Sequence, residues 1–132
     1  MTRPIRYVLR AGASVFTVSA IVLLAAPEWF TRELGLDPSA GTTWTMRMLA
    51  AALLGLAGQM ALVSRGTDVS VRLGAVVMLV AGGLFTLLTF VVPGPWTWLR
   101  WAYVGFGATF WLAYVVLLIA TRPREPARAT TG

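Results

Sequence analysis

Residues 73–92 read LGAVVMLVAGGLFTLLTFVV, a run with no charged side chain, no proline and no polar–apolar alternation. As a helix rising about 1.5 Å per residue, such a run crosses the roughly 30 Å hydrocarbon core of a bilayer. Strands are a poor alternative, because a membrane barrel needs at least about eight shorter segments of alternating polarity. Inside lipid a helix pairs all its own backbone N–H and C=O groups, which an open strand does not.

Three more runs of this kind flank it: Val8 to Ala26, Trp44 to Val63 and Trp101 to Ala120. Their ends are marked by Pro27 with Glu28, by Ser64, Arg65 and Gly66, by Pro93, Gly94 and Pro95, and by Arg122 with Pro123. The sequence therefore predicts an all-α integral membrane four-helix bundle over residues 1–121. Residues 122–132, rich in Pro, Arg, Ala and Thr, have no apolar face to bury and are expected to form a disordered cytoplasmic tail. Composition agrees: 58% of the 132 residues are hydrophobic and 12% charged, against about 45–50% and about 25% in soluble domains.

The chain has no Cys, His, Lys or Asn. That removes thiol redox chemistry, Schiff-base formation, His-based acid–base work and the usual transition-metal ligands. No catalytic residue, metal site or cofactor is expected. The net charge of +6 comes from 11 arginines against 5 acids, and the arginines flank apolar runs without forming a continuous basic face. This pattern sets membrane orientation and contacts anionic head groups, so no nucleic-acid partner is expected and the bilayer is the first partner.

Arg3, Arg6, Arg10, Arg65, Arg72, Arg122, Arg124 and Arg128 flank one side of the four spans, and Arg32, Arg47 and Arg100 the other. The positive-inside rule then puts both termini and the Ser64–Ser70 loop in the cytoplasm. Trp29, Phe30, Trp44, Trp96, Trp98 and Trp101 all fall near the outer ends, with Tyr7 and Tyr114 assigned to the inner side. The outer group reads as an interfacial aromatic belt, with a ligand cage as the competing reading. Met1 to Ala26 also resembles a secretory signal, but its long apolar core, Leu24 and the immediately following Pro27 argue that this span is retained. An alphabet rich in Arg, Ala, Gly and Val without Lys or Asn is what a high-GC genome encodes, so the expected location is a bacterial inner membrane.

Arg10, Gly12, Ala13, Val15 and Val18 share spacing with Arg72, Gly74, Ala75, Val77 and Val80. This echo suggests two parallel helical hairpins related by an axis along the membrane normal, with chance similarity as the alternative. Small residues spaced by three or four mark candidate packing faces: Ala51, Gly55 and Gly58; Gly74, Met78 and Gly82; Gly105, Thr109 and Ala113. Gln59 is read as an interhelical hydrogen-bonding group. Thr86, Thr89 and Thr109 are expected to bond back to their own helices. These faces serve packing within the chain, or association with a membrane-protein partner or a second copy.

The remaining chemistry is at the outer mouth, where Arg47 and Arg100 face Glu28, Glu33 and Asp37. Snorkelling or structural ion pairing is one reading. The other is a ligand site built from Arg47, Arg100, Glu28 and Glu33, since guanidinium groups bind phosphates and carboxylates bidentately.

Pro27, the aromatic pair Trp29–Phe30, Leu34 to Leu36, Arg47 and the small-residue stretch from Ala50 to Gly55 resemble the DoxX-like group of small four-helix bacterial membrane proteins. The resemblance covers Pro27 to Gly58. It implies an accessory role in a membrane redox complex and not catalysis by this chain. The first helix lacks the acid that small multidrug exporters carry there, and the chain lacks the Asn of fluoride channels and the cysteines of thiol oxidoreductase bundles. The expected function is a non-enzymatic accessory or scaffold subunit. The alternative is a protein that binds or transports a lipid or small organic anion.

Overall fold

A computed structural model describes residues 2–121, so the tail from Arg122 onward lies outside the described residues. The chain forms α1 (Arg3–Ala25), α2 (Pro27–Glu33), α3 (Ala40–Val63), α4 (Asp68–Val91) and α5 (Trp98–Ala120). Helices α1, α3, α4 and α5 are long and apolar enough to cross a membrane. No strand occurs among the described residues.

The four long helices start before the apolar runs do: at Arg3, Ala40, Asp68 and Trp98 rather than at Val8, Trp44, Leu73 and Trp101. Hydropathy marks the part of a helix that lipid surrounds, whereas capping chemistry marks where the helix begins. The side chains of Ser39, Thr67 and Thr97 each accept a hydrogen bond from the backbone N–H three residues on, which sets the first turns of α3, α4 and α5. Helix α2 has no counterpart among the apolar runs. Pro27 reads as a stop signal in the sequence but opens this short helix, because a residue with fixed φ and no N–H suits the first helical position. Glu28 in its first turn and Arg32 in its last complement the helix dipole.

Helix α1 packs mainly on α3 and α4 mainly on α5, while contacts between these two pairs are sparser. One apolar cluster, with Leu9, Met60, Val71 and Tyr114, fills one half of the bundle; another, with Leu23, Phe30, Leu53 and Leu99, fills the other half, under α2. Phe16 packs against both. Large side chains such as Val18, Leu62, Val80 and Val116 stay exposed, as a surface solvated by lipid requires.

Polar ties close the two ends. At one end Arg6 donates to the Ser64 carbonyl at 2.8 Å and pairs with Asp68 at 3.0 Å. There the Thr2 hydroxyl donates to Asp68 and Arg72 donates to the Thr121 carbonyl. The start of α1, the α3–α4 connection and the end of α5 therefore share one end. At the opposite end the two connecting loops meet glycine to glycine. Gly35 has φ +79° and Gly94 φ +124°. A Cβ on Gly94 would strike the Gly35 carbonyl, and one on Gly35 would lie 2.8 Å from the Pro95 carbonyl oxygen.

The close helix approaches match the expected stripes only at Gly74. They occur at Gly74, where a Cβ would sit 2.5 Å from Val63 Cγ1, at Gly83, where it would lie 3.0 Å from Trp111 Nε1, at Gly12 against Met60, and at Gly107 against Thr86. A Cβ on Gly55, Gly58, Gly82 or Gly105 would meet nothing within 4 Å, so these glycines do not seat a neighbouring helix within the chain. Spacing identifies a face of small residues but not which way that face turns. Gln59 is likewise exposed and makes no hydrogen bond among the described residues, so it does not join helices within this chain. The threonines behave as expected: Thr86, Thr89 and Thr109 donate to the carbonyls of Gly82, Phe85 and Gly105.

Candidate functional site

Arg100 lies in the first turn of α5 and is only 2% exposed. The reason is written in the two prolines after α4. In a continuing helix the Thr89 carbonyl would accept from the N–H of residue 93, but Pro93 has none. Arg100 Nε donates to that carbonyl at 3.1 Å, Nη1 to Gly94 at 3.1 Å, and Nη2 to Phe90 at 2.7 Å and Val92 at 2.5 Å. Its guanidinium also sits 4.2 Å from the centre of the Trp96 ring. A buried cation is costly unless paired, and here the carbonyl dipoles at the negative end of α4 supply the pairing. Arg100 thus has one N–H left of five, and it does not present a fork to an outside anion.

The four residues proposed for the outer site are consequently divided. Arg47 and Glu28 share a shallow groove with Arg32, Ser39 and Trp44. Glu28 and Arg32 are 3.6 Å apart with both side chains largely exposed, a pair worth little in water-like surroundings. Glu33 faces elsewhere: its carboxylate accepts from Trp98 Nε1 at 2.8 Å, and its backbone carbonyl accepts from the Thr97 hydroxyl. Glu33 and Arg100 therefore fasten the start of α5 to α2 and to α4 respectively, while Arg47 and Glu28 line the groove. Trp29, Trp44, Trp96, Trp98 and Trp101 are all substantially exposed at this end, the placement of an interfacial belt.

A second feature lies inside the bundle. Between the two helix pairs is a cavity of about 160 Å³, running along α1 from Gly12 to Leu23 and along α5 from Tyr103 to Tyr114. It is roofed by Phe30 and Leu34 of α2 and walled by Phe16, Phe85 and Phe110. It exists because Gly82 brings no side chain into the gap and because the two pairs touch only sparsely. A dry apolar void of about 150 Å³ accommodates a single benzene ring, which sets the scale.

The cavity's hydroxyl groups are nearly all accounted for. Tyr103 donates to Ser19 Oγ at 2.7 Å, and Thr86 and Thr89 donate within α4. The Tyr114 hydroxyl is the exception. Its residue is 2% exposed, and this oxygen is the one buried side-chain polar atom without a partner among the described residues. It sits beside Gly12, 3.7 Å from where a Cβ there would be, near the terminal methyl of Met60. A buried hydroxyl left unpaired costs about 1–3 kcal/mol.

The sequence pattern puts Tyr114 at the inner interface and gives Ser19 and Tyr103 no role, whereas the structure gathers all three around the interior space. Hydroxyls in the middle of spans are a visible signal. Which of them share an interior depends on helix rotation, which the pattern leaves undetermined. Among the described residues no group of three or more acidic side chains is placed to hold a metal ion.

The fold and these groups define a small, all-helical, multi-pass membrane protein with an arginine-capped end and an apolar interior cavity. Comparison with known protein families, with curated proteins and with solved structures returns no match for the chain.

Proposed function

We propose that this protein is a non-catalytic accessory or scaffold subunit of a bacterial inner-membrane complex, with both termini cytoplasmic. The observation that carries the reading is the outward face of α3. Gly55 and Gly58 leave it open to close approach, and Gln59 places an amide without a partner in a span otherwise surrounded by lipid. An amide in hydrocarbon gains from a hydrogen bond across to another helix, and small residues beside it let that helix come near. The chain's lack of Cys, His and Lys and its resemblance to DoxX-like proteins over Pro27 to Gly58 favour the same role. The excess of arginines on the side of the Ser64–Ser70 loop supports the orientation.

The test is native mass spectrometry of the tagged protein taken from its own membranes in mild detergent. A stoichiometric protein partner, lost when Gln59 and Gly55 are replaced by Leu, is the expected result. A monomer in every mild detergent tried would overturn the reading.

A second reading rests on Arg47, which has no ion-pair partner among the described residues and lines a groove open to the head-group layer. There it would hold the phosphate of an anionic lipid, with Glu28 and Arg32 beside it. Enrichment of anionic over zwitterionic lipid around the wild type, abolished in Arg47→Leu, would support this; equal lipid retention by both would exclude it.

A further inference from the structure

We propose that the cavity between the two helix pairs binds a neutral lipophile bearing a carbonyl oxygen, with that oxygen accepting a hydrogen bond from the Tyr114 hydroxyl. This site is independent of whether the protein has a protein partner.

The chemistry of the ligand is set by matching what lines the space. No charged side chain reaches the cavity, so a carboxylate, phosphate or ammonium would be buried without a counter-charge. A ligand with several hydroxyls fits no better. Tyr103, Thr86 and Thr89 have already donated their hydroxyl hydrogens, and several ligand hydroxyls would compete for the few oxygen lone pairs of an otherwise apolar lining. A pure hydrocarbon would fill the volume but leave the Tyr114 hydroxyl orphaned. A lone water is also poorly held, since buried waters are kept by two to four polar partners and this end offers one free group. The remaining candidate is a molecule that accepts one hydrogen bond and is otherwise apolar.

The shape agrees. From Gly12 to Leu23 the cavity follows α1 for about 16 Å at 1.5 Å per residue, so it is long and narrow. The free hydroxyl lies at one end, beside Gly12 and Met60, sealed from the open space. Met60 is unbranched and adaptable, so its terminal methyl is the group that moves as a carbonyl reaches Tyr114. One turn along, Phe16, Phe85 and Phe110 offer aromatic surface to the ligand's body. Two sources carry such a carbonyl: the acyl ester of a membrane lipid, and a free lipophilic ketone or aldehyde.

The full chain in detergent is titrated with acetophenone, a one-ring apolar ketone that photolabels its surroundings, and with ethylbenzene, its counterpart without the oxygen. Wild type is expected to bind the ketone roughly two- to tenfold more tightly than the hydrocarbon, the effect of one net hydrogen bond. Tyr114→Phe should lose that preference while keeping its affinity for ethylbenzene. The infrared carbonyl band of the bound ketone should be shifted down in wild type and unshifted in Tyr114→Phe. Photolabel should map to the cavity faces of α1 and α5 and fall in Gly82→Leu, where the added side chain enters open space.

Native mass spectrometry of the protein from its own membranes separates the sources. A phospholipid mass retained by wild type and depleted in Tyr114→Phe assigns the carbonyl to an acyl ester; a smaller neutral mass with the same dependence assigns it to a free carbonyl compound. Equal affinity of wild type for the two probes, or labelling that Gly82→Leu leaves unchanged, overturns the proposal.

Discussion

Arg100, in the first turn of α5, and Arg47, in the second turn of α3, are the same residue type near the same end, and the structure gives them opposite roles. Arg100 replaces the donors that Pro93 and the turn withhold from the last carbonyls of α4. Arg100→Gln removes the charge and most of the fork, so it should destabilise the folded protein by about 3 kcal/mol or more in thermal unfolding in detergent. Arg47→Leu, at an exposed groove position, should stay within about 0.5 kcal/mol of wild type in the same assay. Tyr114→Phe should leave the delipidated protein unchanged or more stable by up to about 1 kcal/mol, because it deletes a group that has no partner. A clear loss of stability in that variant would mean that the hydroxyl is satisfied in the free protein. The sequence shows that both arginines are near the interface. It does not reveal their difference, because that depends on Pro93 and Pro95 turning the chain so that residue 100 meets carbonyls 89 to 94.

Among the helices, glycine position decides which substitutions are tolerated. Gly107 faces Thr86 so closely that any side chain must push α4 and α5 apart, whereas Gly105, on the same helix, faces open space. Gly107→Leu should therefore cost about 1–3 kcal/mol in unfolding experiments, and Gly105→Leu should be near neutral. All four spans are legible because uninterrupted apolar runs of that length have few other solutions in water or lipid. The short helix α2 is not, since Pro27 is equally a helix terminator and a first helical residue, and only the path of the chain beyond it distinguishes the two. The packing glycines are half legible: Gly74 makes a close approach, but Gly55, Gly58, Gly82 and Gly105 do not, because a small-residue stripe carries no information on helix rotation.

For the whole molecule, the orientation is directly measurable, since the chain contains no cysteine and every introduced thiol is the sole reporter. Ser70 lies at the start of α4 and Ser39 at the start of α3, at opposite ends of the bundle. In intact cells Ser39→Cys should react with a membrane-impermeant maleimide and Ser70→Cys should react only after the membrane is opened. The reverse pattern would invert the topology. The arginine bias is the sequence's one signal for orientation, while the interior cavity is invisible there because it arises from the looseness between two tightly formed helix pairs.

That looseness has a mechanical consequence. Apart from the Tyr103–Ser19 hydrogen bond, the polar and close ties between the pairs are at the ends, through Arg6 with Asp68 at one and through Gly35, Gly94, Glu33 and Trp98 at the other. Midway, the halves touch through the Phe16–Phe85 edge contact and the Tyr103–Ser19 hydrogen bond and otherwise face each other across the cavity. Hydrostatic pressure favours states that eliminate voids, and the effect scales with the volume lost. The bundle should accordingly be softer at its waist than at its rims, yielding first by closing the cavity beside the Phe16–Phe85 contact while both ends keep their geometry.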